Sequence, residues 1–242
     1  MELILYYMLM GYFSIGAIAI WRINKNKPSH DQKARWLKFG TYFVIINALF
    51  FSIYFGPQFF HYLVILIIFA GIIELVKVKW QSNQKGKTMV FFFSVLAYLI
   101  VSAGLYYFSL MEKPVLFFGF FVIMVFDAFS QLSGQLFGRK KLIPSVSPNK
   151  TVAGLIGGFI FATLTATFMG PLIGSTLAIA LISGLIVATF ALAGDLLASI
   201  YKRQFNVKDF SRILPGHGGF LDRFDSLIMG GAGMYLLNSL SL

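Results

Sequence analysis

The last fifty residues concentrate side chains able to bind and activate phosphates: Lys208 and Asp209, then Pro215, Gly216, His217, Gly218 and Gly219, then Asp222, Arg223 and Asp225. Asp222 and Asp225 are spaced i, i+3, so a helix starting near Leu221 carries both carboxylates on one face of its first turn. The helix dipole alone would favour one acid there, but it leaves the adjacent Pro-Gly-His-Gly-Gly run unexplained. Upstream, Asp195 follows Gly194 at the end of an apolar run, about 10 Å deeper along a helix than Lys202 and Arg203. Carboxylates converging in this way are hard oxygen ligands suited to Mg2+, which takes few carboxylates and completes its shell with substrate phosphates. Lys202, Arg203, Lys208, Arg212 and Arg223, with Lys150 from another loop, supply the positive charge a polyphosphate needs. Gly216, Gly218 and Gly219 would let backbone N–H groups approach phosphate oxygens closely.

These residues must be positioned by membrane helices. The 242-residue chain is 58% hydrophobic and only 12% charged, with a mean hydropathy of +0.79, far from the composition of soluble domains. Apolar runs near 3–21, 39–55, 59–76, 88–110, 114–130, 151–169, 172–195 and 224–241 each approach the roughly 20 residues needed to span a bilayer. Their length and lack of period-two alternation predict helices, hence an all-α polytopic bundle of about eight spans in one domain covering residues 1–242. The first run lacks a basic leader and a small-residue cleavage pattern, so it is read as a span.

The basic residues orient the bundle. All but Lys113 of the 20 Lys and Arg fall in alternate connections or at their edges, which the positive-inside rule assigns to the cytoplasm, with both termini outside. The net charge of +11 is thus explained by topology and by attraction to anionic headgroups, and requires no nucleic acid. With no cysteine, the chain has no disulfide, thiolate nucleophile or zinc-thiolate site.

The nine acidic residues are the next filter, because a carboxylate at membrane depth is costly and marks function. Glu2, Asp31, Glu74 and Glu112 read as solvated or locally paired, with Glu74 beside Lys77 at a span end. Asp127, Asp195, Asp222 and Asp225 do not reduce to that reading. Gly154, Gly157, Gly158 and Ala162 form a small-residue stripe that serves either internal packing or a homodimer.

The run Ser199-Ile-Tyr-Lys202-Arg203, then Lys208-Asp209, then Leu214 through Ser226 resembles the signature of the phosphatidate cytidylyltransferases. Asp127 through Gly134, Phe137-Gly138-Arg139, Pro144, Ser147 through Thr151 and Gly154 resemble that family's upstream block. The matches cover residues 127–226, whereas residues 1–110 match only in character. The resemblance implies transfer of a cytidylyl group from CTP to phosphatidic acid at a Mg2+-dependent site, with room for a second cation, on the cytoplasmic face of a cell membrane. It implies metal binding by Asp195, Asp222 and Asp225. Lys202, Arg203, Lys208 and Arg223 would hold the triphosphate or leaving pyrophosphate. Ser147, Lys150 and Thr151 would contact the lipid phosphate or the nucleotide, and Asp209, Gly218 and Gly219 belong to the same substrate-binding segment. His217, with an unperturbed pKa near 6.5, either orders the loop or acts on substrate as an acid.

The chain departs from the family pattern at four positions. Ala153 stands where Glu or Gln is common, Ala198 where Glu is frequent, Gln135 where a basic residue is expected and Gln131 where an aromatic is. Two alternatives therefore accompany the main reading: a CTP-dependent enzyme with another membrane lipid phosphate, and a membrane protein that binds nucleotide or lipid without turnover.

Overall fold

A computed structural model describes residues 2–25, 28–82, 85–211, 213 and 218–240. Among these described residues eight long helices follow the order of the apolar runs: α1 (Glu2–Asn24), α2 (Ser29–Phe55), α3 (Pro57–Gln81), α4 (Thr88–Phe108), α5 (Lys113–Phe137), α6 (Val152–Met169), α7 (Leu177–Gln204) and α8 (Leu221–Ser239). The first seven are long and apolar enough to cross a membrane. The chain is a multi-pass membrane protein.

Proline and polar caps set several boundaries. Pro57 and Pro114 occupy first-turn positions of α3 and α5, where a missing N–H costs nothing. A short 3-10 turn at Gly170–Ile173 delays the start of α7 to Leu177, beyond the residue 172 expected from hydropathy, and Thr176 caps it by accepting the Ile179 N–H at 3.4 Å.

α5 and α8 form the centre. α5 is buried continuously from Leu116 to Phe126, as expected of a helix that is apolar all round. α8 is less apolar, yet Leu221, Asp222, Phe224 and most residues from Ser226 to Met234 are buried. Its small residues face protein rather than lipid: Gly230 abuts Ile123 of α5, and Gly231 abuts Leu105 of α4. By contrast, Met89, Phe92 and Phe93 of α4 are exposed, as a lipid-facing surface would be. The stripe Gly154, Gly157 and Gly158 packs internally, against Ser130, Ser133 and Phe126 of α5.

Two features differ from the sequence expectation. The basic segment before the second span is not a loop: α2 begins at Ser29, so Asp31, Lys33, Arg35 and Lys38 ride on a helical extension. The segment after α5 folds into an antiparallel hairpin, β1 (Lys141–Ile143) with β2 (Ser147–Thr151), pairing Ile143 with Ser147 and Lys141 with Thr151. At the opposite end of the bundle, Lys113 pairs with Glu2 at 2.7 Å and donates to the Tyr54 carbonyl. His61 there bonds Ser109 at 2.7 Å, so it is structural.

Candidate active site

A cavity of about 1310 Å³ opens among α1, α2, α5, the hairpin, α7 and the start of α8. It gathers nearly all the residues singled out by sequence: Asp195, Lys202 and Arg203 from α7; Lys208, Asp209 and Gly218 from the loop; Asp222, Arg223 and Asp225 from α8; and Ser147, Lys150 and Thr151 from the hairpin. Gly219 is buried and does not line it. His217, with Arg212, Pro215 and Gly216, falls outside the described residues.

Asp222 organises this region. Lys202 Nζ meets its Oδ1 at 2.5 Å, with Asp222 9% and Lys202 8% exposed. Its Oδ2 accepts the backbone N–H groups of Phe210 at 2.9 Å and Gly219 at 2.8 Å. One carboxylate thus neutralises a buried ammonium, satisfies an orphan donor before α8 and ties down both ends of the 210–219 loop. Gly218 makes the turn possible: its φ of +86° favours glycine, and a Cβ would sit 3.0 Å from Asp222 Oδ2 and from Asp209 Cβ.

Glu74 completes the clamp from α3. It is 2% exposed, and its oxygens accept the Ser211 hydroxyl at 2.6 Å, the Phe220 N–H at 2.8 Å and the Leu221 N–H at 2.6 Å. It is not a locally paired surface residue, as its neighbour Lys77 suggested, but a buried cap on α8. A Cβ on Gly219 would press on both Glu74 oxygens at 2.8 Å, so the glycine is explained by the clamp, and its N–H is committed to Asp222.

The remaining carboxylates face the cavity. Gly194 lets α7 press against α8, since a Cβ there would collide with the Asp225 carbonyl and crowd Met229. The next residue, Asp195, lines the same cavity as Asp225 and Asp127. Asp195 Oδ2 pairs with Lys150 at 2.5 Å and its Oδ1 accepts Ser199 Oγ at 3.4 Å. Asp225 Oδ1 accepts the Ser226 N–H, and the Ser226 hydroxyl donates to Asp127 Oδ1 at 3.1 Å. Asp127 is thus joined to the start of α8 through the Ser226 hydroxyl.

The cations divide into paired and available groups. Lys202 and Lys150 are paired with Asp222 and Asp195. Arg203 donates to the Val146 and Val207 carbonyls, linking α7 to the hairpin. Arg223 lines the cavity and its buried Nε has no hydrogen-bond partner among the described residues. Thr151 caps α6 by accepting the Gly154 N–H at 3.1 Å, so its acceptor capacity is partly used.

Among the described residues no three His, Asp or Glu side chains are grouped to cage a metal ion. Asp222 lines the cavity with Oδ1 on Lys202 and Oδ2 on two backbone N–H groups, so a metal at the position predicted for it would share Oδ1 with the Lys202 ammonium. Asp195 and Asp225 still fit Mg2+, which commonly takes one or two carboxylates and fills its shell with phosphates and water.

A polytopic helix bundle with an ionisable cavity lined by α5, α7, α8, the hairpin and Lys208, Asp209 and Gly218 of the signature defines the class. A family model described as the cytidylyltransferase family matches residues 2–241, and the chain belongs to that family. It is 44% identical over 113 residues to a phosphatidate cytidylyltransferase of Staphylococcus saprophyticus, covering 46% of this chain and 44% of the relative. It is 39% identical over 152 residues to one of Staphylococcus haemolyticus, covering 61% and 58%. An uncharacterized protein of Escherichia coli, YnbB, is 45% identical over 104 residues, covering 42% and 35%. The chain spans about half the length of the phosphatidate cytidylyltransferases it matches.

Proposed function

We propose that this protein transfers the cytidylyl group of CTP to the phosphate of phosphatidic acid, releasing pyrophosphate, at a site facing the cytoplasm. The observation that carries this reading is the single cavity shared by Asp127, Asp195, Asp225, Arg223 and Lys208, with an apolar flank from α1. Two relatives named phosphatidate cytidylyltransferase support the same substrates. The basic ends of α2, α3 and α7 surround that end of the bundle, which supports the cytoplasmic assignment.

In the reaction a phosphate oxygen of the lipid forms a bond to the α-phosphorus of CTP, and the bond from that phosphorus to the bridging oxygen of pyrophosphate breaks. Such transfer depends on positioning and charge neutralisation. Arg223, whose Nε has no partner among the described residues, and Lys208 neutralise the triphosphate and then the departing pyrophosphate. Lys150 and Ser147 on the hairpin bind and orient a phosphate at the cavity mouth. Asp195 and Asp225 would hold Mg2+, which when bound would offset the phosphate charge. Lys202 and Asp222 keep the 210–219 loop in place. His217 retains its proposed role in that loop or toward the leaving group.

A second reading, transfer to a different lipid phosphate, draws on one observation: Gln131 and Gln135, two of the four departures from the family pattern, line the cavity. The test is turnover of labelled CTP by the detergent-purified protein with Mg2+ and either phosphatidic acid or another lipid phosphate. CDP-diacylglycerol formation that is lost in Asp225→Asn supports the first reading. Product only with another acceptor supports the second, and CTP binding without any product overturns both.

A further inference from the structure

The family signature occupies residues 127–226, yet one wall of the cavity comes from α2, a helix to which no role has been given. Asp31, Arg35, Lys38 and Tyr42 all line it. Their spacing of four, three and four residues keeps them within a narrow stripe on one face of a helix with 3.6 residues per turn. Lys33, off that stripe, lies outside the cavity wall. The deep end of the stripe is Tyr42, which lines the same cavity as Asp127, Asp195, Arg223 and Asp225. From there Arg35 is two turns, or about 10 Å, toward the rim.

Arg35 is half-buried and Lys38 exposed, and neither makes an ion pair or hydrogen bond with any described residue. A half-buried guanidinium on the cavity wall has donors free for an anion, and its planar fork suits a phosphate. The neighbourhood indicates which anion. α1 packs on α2 through Phe13, whose ring meets Phe39 and Phe43 at 5.7 and 4.9 Å. Tyr12, Phe13, Gly16 and Ile20 of α1 continue the same cavity wall as an apolar strip. A phosphate bound at Arg35 and Lys38 therefore has hydrocarbon beside it, whereas a phosphate bound at Lys150 and Lys208 lies among the hairpin and the signature loop.

We propose that Arg35 and Lys38 form the binding site for the phosphate of the lipid substrate, with the α1 strip alongside its acyl chains, opposite the nucleotide-binding wall. This rests on the proposed reaction for the identity of the substrate, and two separate measurements test it. In steady-state turnover, Arg35→Gln and Lys38→Gln are expected to raise the apparent KM for phosphatidic acid in mixed micelles by about tenfold each, with the KM for CTP unchanged, as for loss of a charge-assisted contact. Lys33→Gln should match the unmodified protein. In native mass spectrometry, which needs no turnover, the unmodified protein should retain phosphatidic acid in preference to phosphatidylcholine, and Arg35→Gln should lose that preference. An equal rise in the KM for CTP, or undiminished retention of phosphatidic acid by both variants, overturns the proposal. If the unmodified protein retains phosphatidic acid but forms no CDP-lipid, the proposed reaction fails and the lipid site stands.

Discussion

Glu74 on α3 accepts the backbone N–H of Leu221 at 2.6 Å, across 147 positions of sequence. With Phe220 N–H and the Ser211 hydroxyl on its other oxygen, this one carboxylate fixes where α8 begins and thus how Asp222 and Asp225 are presented. Glu74→Ala leaves three donors without their acceptor in a buried setting and should destabilise the protein by about 2–4 kcal/mol. Glu74→Gln, which keeps the shape but turns an NH2 toward backbone donors, should fall between. Thermal unfolding in detergent alongside CTP turnover checks both; an unchanged unfolding temperature in Glu74→Ala would remove the clamp from the account.

Asp222 and Asp225 are expected to respond differently although they share one helical turn. Asp222→Ala strands a buried Lys202 and frees two backbone donors, so stability should fall by about 3–5 kcal/mol together with activity. Asp225→Asn preserves the Ser226 contact and should abolish turnover while the unfolding temperature moves little. Paired melting and turnover measurements separate the two roles. Equal stability losses in both variants would show that Asp225 is as structural as Asp222.

The sequence made the helices, their order and the membership of the cavity legible, because those follow from long apolar runs and from polar residues that have no reason to be there otherwise. It did not reveal Glu74, whose partners lie more than a hundred residues away, and whose near neighbour Lys77 offered a simpler explanation. Nor did it separate Asp222 from Asp225: the i, i+3 rule places both on one face, but only the path of the preceding loop turns Asp222 toward Phe210 and Gly219. The charged start of α2 lacks apolar periodicity, so it read as loop, and the alignment of Asp31 with Arg35, Lys38 and Tyr42 emerges only once the helix is seen to begin at Ser29. The hairpin was equally hidden, since Ser147 to Thr151 includes Pro148 and Asn149 and shows no strand-like alternation.

Lys150 holds Asp195 at 2.5 Å, and the two side chains are partly exposed. If Asp195 binds Mg2+ in the working enzyme, Lys150 competes for the same carboxylate while also serving phosphate. Lys150→Met should therefore lower the Mg2+ concentration needed for half-maximal turnover and reduce kcat on the order of tenfold or more, as expected when a cation that stabilises developing phosphate charge is lost. Mg2+ titrations of turnover provide the check. A higher Mg2+ requirement in Lys150→Met would mean that the lysine supports the metal site rather than competing with it.

Gly194 tests whether the approach of α7 to α8 is what joins Asp195 to Asp225. A methyl group at this position meets the Asp225 carbonyl and Met229 Cβ, backbone and near-backbone atoms that cannot swing aside. Gly194→Ala should thus cost about 1–3 kcal/mol through overpacking, despite the better helix propensity of alanine. Displacement of α7 would also separate the two carboxylates, so turnover should fall more steeply than stability and should be partly restored by raised Mg2+. Gly11 on α1 provides the opposite case, because a Cβ there meets nothing within 4 Å. Gly11→Ala should leave turnover intact and stabilise the protein by at most about 1 kcal/mol. The same substitution in two helices is then expected to act with opposite sign, and similar melting shifts in both would show that the contact between Gly194 and Asp225 does not govern the site.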